Sequence, residues 1–218
     1  MRKGKQPSFN SLRTIDTIGT SLQAILWMAK LNPVQPISTL CVSGLYPNEI
    51  GNLSELLASM ASSLQPLEIS SLKGSAIGDC ETSLARGLNL GCLKQLESLK
   101  LPAVALLTPE ENDKPNQHVI HAVDFLIVML RTLPASSKLK TLTVPVSSGD
   151  LAHFPWAELD TTLYGKSFAA LECLIFEDWT VEDWDSVPAV EALIRRLSNV
   201  AARGILKMQL EDLGTWWK

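Results

Sequence analysis

One spacing of apolar residues, Leu-x-x-Leu-x-Leu, recurs along the chain and limits its fold more than any other feature. The clearest copy lies at Leu96, Leu99 and Leu101. Five further copies place an apolar residue at the same three positions: Ile37/Leu40/Val42, Leu64/Leu67/Ile69, Leu139/Leu142/Val144, Leu171/Leu174/Phe176 and Ile205/Met208/Leu210. Six copies predict a repeat architecture, in which each unit buries its apolar face against the next.

Segments with the apolar spacing of a helix face follow the first five copies. Their apolar residues are Ile50, Leu53, Leu57, Met60 and Leu64; Leu84 and Leu88, with Gly91 as the stop; Ile120, Val123, Ile127 and Leu130; Trp156, Leu159 and Leu163; and Val190, Leu193, Ile194, Leu197 and Val200, stopped by Gly204. Strands that alternate with helices pair in parallel, because a crossover through a helix returns the chain in the same direction. The pattern predicts an α/β fold with a curved parallel sheet of about six strands backed by helices.

The residues before the first copy predict two further parts. Residues 1–10 are polar and basic, which is typical of a flexible tail. Apolar residues at helical spacing then run through residues 11–31, and they predict an N-terminal helix that caps the open end of the core. We therefore expect one domain over residues 11–218, with its repeats at 37–213.

Composition excludes several classes of partner and compartment. A formal charge of −4 and a pI near 5.4 offer no general attraction for nucleic acid or an anionic membrane. No apolar run is long enough to span a bilayer or to resemble a secretory signal. The four cysteines show no CxxC spacing, which favours small buried residues over metal ligands or disulfides. We expect a soluble intracellular monomer, cytoplasmic or nuclear.

The repeats resemble those of leucine-rich-repeat proteins over residues 37–213. The first six positions match that family, whereas the ninth position, usually Asn or Cys, is Leu, Leu, Val, Ser, Trp and Leu. Intervals of 27 to 43 residues between copies resemble the irregular repeats of fungal F-box proteins. The resemblance implies a leucine-rich-repeat-like solenoid that binds other proteins, and more narrowly the substrate-recognition part of a ubiquitin-ligase receptor. Residues 1–36 contain no recognisable F-box, so adaptor binding is not implied.

The side of the predicted sheet that faces away from the core is the candidate binding surface. Side chains alternate along a strand, so the third, fifth and seventh positions of each copy face outward. The fifth positions form a central row of Cys41, Glu68, Lys100, Thr143, Ile175 and Gln209. Glu68 and Lys100 are expected to form an ion pair between neighbouring strands. The predicted partner-binding residues are Glu68, Lys100, Thr141, Thr143, Ile175, Glu177, Asp178, Trp179 and Gln209. A merely solvated face is the alternative.

Residues 177–185 have the most unusual composition in the chain, with five carboxylates and two Trp. The spacing does not match a calcium-binding loop, which needs alternating acidic residues, a Gly and a Glu at its twelfth position. Acidic residues at a helix N-terminus are one interpretation of this segment. A contact site for a basic partner is the other.

No motif provides positive evidence for catalysis, a cofactor or a metal. His118, His121 and Asp124 recur every three residues, so the outer two lie about 9 Å apart along a helix and cannot share one ion unaided. No Gly-rich phosphate loop or Gly-x-Ser-x-Gly turn occurs. We predict a protein that is not an enzyme and needs no cofactor. The alternatives are an enzyme with a pocket in the loops after the third to fifth strands, using His118, His121 or His153, and a functionless remnant.

Overall fold

The computed structural model describes residues 14–16, 22, 25, 37–70, 87–102, 126–146, 155–178, 191 and 194–210. These residues form one sheet of seven strands, in which every neighbouring pair is parallel. The strands are β1 (Thr14–Asp16), β2 (Thr39–Val42), β3 (Pro66–Ile69), β4 (Ser98–Lys100), β5 (Thr141–Val146), β6 (Cys173–Asp178) and β7 (Leu206–Leu210). Their order in the sheet is their order in the sequence. The predicted α/β class with a parallel sheet is confirmed.

Helices and short 3-10 turns connect the strands. The helices with defined ends are α1 (Ile50–Ser59), α2 (Trp156–Leu163) and α3 (Ser198–Ala202), and residues 126–131 are also helical. The 3-10 turns are Pro47–Glu49, Leu90–Cys92 and Lys166–Phe168. The apolar residues that predict α1 and α2 are buried, so both helix predictions are confirmed. The predicted stop at Gly91 is wrong, because Gly91 lies inside a 3-10 turn that Asn89 caps.

One face of the sheet, which we call the core face, carries the fourth and sixth positions of the repeats. These side chains are at most 1% exposed in β2 to β6: Leu40, Val42, Leu67, Ile69, Leu99, Leu101, Leu142, Val144, Leu174 and Phe176. The rings of Trp156 and Phe176 meet edge to face with centroids 5.6 Å apart, so α2 packs against this face. We call the opposite side, which carries the third, fifth and seventh positions, the outer face.

A backbone ladder joins the second positions of successive repeats, just before each strand begins. The N–H of Gln65 donates to the carbonyl of Ser38, and the N–H of Glu97 donates to that of Gln65. The series continues from Lys140 to Glu97 and from Glu172 to Lys140, with all four distances between 2.8 and 2.9 Å. Because these bonds link equivalent positions, they hold the repeats in register from β2 to β6.

The predicted capping helix is wrong at residues 14–16, which form β1. Ile15 lies opposite Leu40, so β1 occupies the place of a further repeat. Leu12, Ile15 and Thr17 stand at the first, fourth and sixth positions of a further copy. The polar Thr at the sixth position breaks the apolar pattern, so the sequence did not indicate a strand here. Leu22 and Ile25 are helical and buried, as predicted. Residues 1–10 and the rest of 11–31 lie outside the described residues.

The predicted register of the last strand is also wrong, by two residues. Leu174 lies opposite Leu206 rather than Met208, and Phe176 lies opposite Met208. A shift of two residues keeps every side chain on the same side of the sheet, so the apolar pattern fits both registers. The fifth-position row therefore ends at Lys207, opposite Ile175, and Gln209 lies opposite Glu177.

Arg203 fixes where the chain enters β7. Its guanidinium donates to the carbonyl oxygens of Phe168 at 3.0 Å and Leu171 at 2.7 Å, and makes a longer contact of 3.4 Å with Leu163. The next residue, Gly204, has a φ of 68°, a left-handed conformation that favours glycine and ends a helix. The predicted helix stop at Gly204 is confirmed.

Asp160 ties α2 to the start of α3. It is 5% exposed, and its carboxylate accepts hydrogen bonds from the N–H of Asn199 at 3.1 Å, the side-chain amide of Asn199 at 2.9 Å and the N–H of Val200 at 3.0 Å. The residue before α3, Leu197, has no side chain that can cap the helix. Asp160 therefore acts as the cap from a neighbouring helix.

Asp160→Ala is expected to lower the free energy of unfolding by about 1–3 kcal/mol, because it leaves the buried N–H of Val200 and the partly buried N–H of Asn199 without an acceptor. Urea unfolding followed by circular dichroism measures the change. Glu158→Ala on the same helix is the matched control, because Glu158 is exposed and its pair with Arg131 is worth less than about 1 kcal/mol. Equal losses in the two variants would contradict the capping role.

Arg203→Met is expected to speed amide hydrogen exchange in β7 more than in β3, because the entry to β7 loses its hydrogen bonds to three carbonyl oxygens. Hydrogen exchange read by mass spectrometry compares the two strands. Arg195→Met is the control, since the Arg195 side chain is 75% exposed and its pair with Glu191 is 3.7 Å long. Unchanged exchange in β7 would show that the hydrogen bonds of Arg203 do not stabilise the entry to this strand.

Candidate functional site

Three charged side chains meet on the outer face, and we call Glu68, Lys100 and Glu177 the charged cluster. Lys100 Nζ lies 2.8 Å from Glu177 Oε2 and 3.6 Å from Glu68 Oε1. The predicted pair of Glu68 with Lys100 is confirmed, and the two residues are direct neighbours in the strand register. The shorter contact to Glu177, two strands away, is an addition that the sequence did not predict.

Lys100 reaches Glu177 by crossing strand β5. Lys100 lies opposite Thr143, and Thr143 lies opposite Ile175 on β6, the strand that carries Glu177. A lysine side chain is long enough to pass over a short threonine to the next strand. The ion pair therefore links β4 and β6 directly, in addition to the backbone bonds that join each of them to β5.

Hydrogen bonds extend the charged cluster toward β2. Ser70 Oγ donates to Glu68 Oε1 at 3.0 Å, and Cys41 Sγ lies 3.9 Å from Ser70 Oγ. Ser70 is the first residue after β3, and its backbone N–H donates to the carbonyl of Val42 at 2.8 Å. Glu68 is thus held by a hydroxyl on one side and by an ammonium on the other.

The outer face is less exposed at its centre than the alternation predicts. Thr143 is 9% exposed and Glu177 is 8% exposed, and Pro102 and Pro145 are also buried. For Thr143, the crossing Lys100 side chain supplies a physical reason. The expectation of accessible side chains is therefore wrong at these four positions. It is confirmed at Glu68, whose side chain is 40% exposed, and at Lys100, whose side chain is 27% exposed.

The remaining predicted contact residues have different outcomes. Thr141 and Ile175 are half-buried on the outer face. Asp178 ends β6 and Gln209 lies opposite Glu177, and for both only the backbone position is described. Trp179 and the rest of the acidic segment lie outside the described residues. Roles of all nine residues in binding stay predictions.

Lys207 was predicted on the outer face as a third-position residue, but the sequence did not predict its place in the fifth-position row. It is exposed and lies opposite Ile175 at the end of the fifth-position row. The helix stop at Gly204 was the available signal, because a strand starting soon after it aligns Leu206, rather than Met208, with the fourth position. Apolar spacing alone favoured the other register.

A second ion pair joins the strand starts, at the second position of two repeats. Lys140 Nζ lies 2.8 Å from Glu97 Oε2, with the side chains 48% and 39% exposed. The hydrogen bond and the charge of Lys140 hold the pKa of Glu97 below its ordinary value, and Glu97 raises the pKa of Lys140. Any stabilisation from Glu97 is therefore present above its ordinary pKa and is lost as the pH falls through the lowered value.

The described residues contain no arrangement of three or more His, Cys, Asp or Glu side chains that could hold a metal ion. His118, His121, Asp124 and His153, the residues of the alternative enzyme prediction, lie outside the described part of the chain. Cys41, Cys92 and Cys173 form no disulfide among the described residues, and they are half-buried rather than buried. Burial raises the pKa of the Cys92 thiol. None of the helices in the described ranges is long and apolar enough to cross a membrane.

Comparison with known proteins shows no match. No protein-family model matches the sequence, and no curated protein or solved structure matches it at a significant level. The resemblance to leucine-rich-repeat proteins stays a prediction from the sequence.

We expect the coupling free energy between Lys100 and Glu177 to be about 1–2 kcal/mol, because their contact is short and the Glu177 side chain is only 10% exposed. A double-mutant cycle with Lys100→Met and Glu177→Gln, read by urea unfolding, measures it. The Lys140–Glu97 pair is the matched control, since its distance is the same and its groups are exposed.

The control coupling should be smaller and should disappear at about 1 M salt, where the Debye length falls to about 3 Å. The coupling between Lys100 and Glu177 should persist there. A coupling within error of zero would show that the two side chains do not form the pair in solution.

Proposed function

We propose that this chain is a leucine-rich-repeat-like solenoid that binds a protein partner on the outer face of its sheet and does not catalyse a reaction. The charged cluster is the observation that carries the proposal. It lies on the side of the sheet away from the core, and it combines polar groups of β3, β4 and β6 into one surface. A sheet face built from consecutive repeats is a common binding surface of solenoid proteins.

Mutual contacts make this surface suited to binding. Glu68 and Lys100 have partly exposed side chains, yet each is already held by a neighbour, at 3.0 Å for Ser70 to Glu68 and 2.8 Å for Lys100 to Glu177. Side chains that are ordered before binding lose less entropy when a partner arrives.

The same contacts favour binding over catalysis. A lysine whose ammonium is ion-paired with carboxylates on both sides is not poised as a nucleophile or a base. Glu177 is in turn occupied by Lys100. The charged groups of the outer face therefore suit recognition, in which charge and shape are matched to a partner.

Substrate recognition for a ubiquitin ligase is the narrower form of this proposal. It derives from the resemblance to fungal F-box proteins alone. Co-purification of a ubiquitin-ligase adaptor with the chain would support this form, and the broader proposal does not depend on it.

Glu68→Lys is expected to abolish capture of the specific partner, because it reverses an accessible charge within the charged cluster. Affinity capture of the tagged chain from its own cell extract, followed by quantitative mass spectrometry, measures the loss. Glu158→Lys is the matched control: its side chain is 45% exposed and ion-paired, like the 40% exposed Glu68, but it lies on a helix.

A partner kept by the Glu158→Lys chain and lost by the Glu68→Lys chain supports the proposal. Equal capture by both variants, with thermal unfolding midpoints like that of the unaltered chain, would contradict the outer face as the binding surface. Turnover of a substrate by the purified chain would contradict its non-catalytic part.

A further inference from the structure

Between β3 and β7, the fifth-position row begins with an acidic residue and ends with a basic one. In the register of β3 to β7 the row reads Glu68, Lys100, Thr143, Ile175 and Lys207. Lys207 belongs to this row only in the observed register, since the sequence pattern had placed the neutral Gln209 there. From β3 to β7 the row therefore runs from an acidic residue to a basic one, and Cys41 on β2 and Asp16 on β1 continue it beyond Glu68.

The charge at the centre of the row is paired. Lys100 and Glu177 are 2.8 Å apart and neutralise each other, and Thr143 between them is uncharged. Glu68 is farther from the shared ammonium, at 3.6 Å, so the charged cluster as a whole carries a net charge of −1 that is concentrated at Glu68. Its contacts within the described residues all involve Oε1, which leaves Oε2 for a donor from outside.

The row has a positive charge on β7. Lys207 is exposed, and no ion pair to it occurs among the described residues. Its register neighbour Ile175 is half-buried and offers an apolar contact between the two charged ends. An ammonium on an exposed strand attracts a carboxylate, whereas the surplus negative charge at Glu68 attracts a guanidinium or ammonium and repels a second carboxylate.

We propose that the partner presents an extended segment that lies across strands β3 to β7, with a basic side chain on Glu68 and an acidic side chain on Lys207. This inference rests on the proposed function and adds the chemistry of the partner to it. An Arg on the partner would serve best at Glu68, because its planar guanidinium can donate two hydrogen bonds to one carboxylate. The basic and acidic side chains of the partner thereby balance each other, as Glu68 and Lys207 do on this chain.

Geometry sets the spacing of the two charges on the partner. Four strand intervals separate β3 from β7, which is about 19 Å at 4.7–4.9 Å per interval. An extended peptide advances about 3.3 Å per residue, so its basic and acidic residues lie about six positions apart. An apolar residue about four positions from the base falls on Ile175.

Selection from a random peptide library on the immobilised full-length chain tests the inference without a known partner. The unaltered chain is expected to enrich peptides with one basic and one acidic residue about six positions apart. Lys207→Glu makes both ends acidic and should enrich peptides with two basic residues at that spacing. Glu68→Lys makes both ends basic and should enrich peptides with two acidic residues. Each peptide selected by the unaltered chain should bind either variant at least tenfold more weakly.

The Glu158→Lys chain is the control, because it carries an equal charge reversal on a helix and should enrich the same peptides as the unaltered chain. Lys207→Glu alters an exposed residue of the last strand, so the test remains decisive if Glu68→Lys fails to fold. Peptides without the paired charges, or peptides that all variants bind equally, would overturn this inference and leave the binding function standing. Enrichment of no peptide by any folded chain would overturn the binding proposal as well.

Discussion

Five leucines, each paired through the backbone with the next, hold this structure in register. Leu40, Leu67, Leu99, Leu142 and Leu174 occupy the fourth position of successive repeats and are at most 1% exposed. Because their side chains are buried on the core face, a slip of one residue would bring a polar neighbour into the core. The ladder of hydrogen bonds between second positions restrains the same register at the start of each strand.

The register on the core face determines what meets on the outer face. Once Leu67 lies opposite Leu99, the next residues along, Glu68 and Lys100, are neighbours as well. The charged cluster is thus a consequence of core packing, and the polar residues need no separate device to bring them together. The length of Lys100 and the small size of Thr143 then allow contact with Glu177 across an intervening strand.

The sequence predicted those parts of the fold that depend on local spacing. Strands β2 to β6, the helix faces of α1 and α2, and the Glu68–Lys100 pair all follow from positions within one repeat or in two adjacent repeats. Strand β1 was not predicted, because Leu12, Ile15 and Leu22 fit a helix and Thr17 interrupts the strand pattern. The register of β7 was not predicted either, because the apolar spacing fits two registers, and the Arg203 contacts before β7 reach carbonyl oxygens more than thirty residues away along the chain.

For the candidate site, the sequence did not predict how far a side chain extends across the sheet or how deeply it is buried. The contact of Lys100 with Glu177 spans two strands, and a repeat pattern describes only neighbouring strands. Burial of Glu177 and Thr143 depends on what lies over them, which alternation along a strand does not specify. Lys207 entered the row only when the observed register replaced the one that the apolar spacing favoured.

The most direct test of the outer face as the binding surface is a methyl NMR titration of the full-length chain with a peptide that it selects. The account predicts that the methyl signals of Ile175 and Thr141 shift on binding, while those of the exposed Val128 and Ile194 on the helical side remain unchanged. Shifts confined to Val128 or Ile194, with Ile175 and Thr141 unaffected, would contradict the account and place the binding surface on the helices.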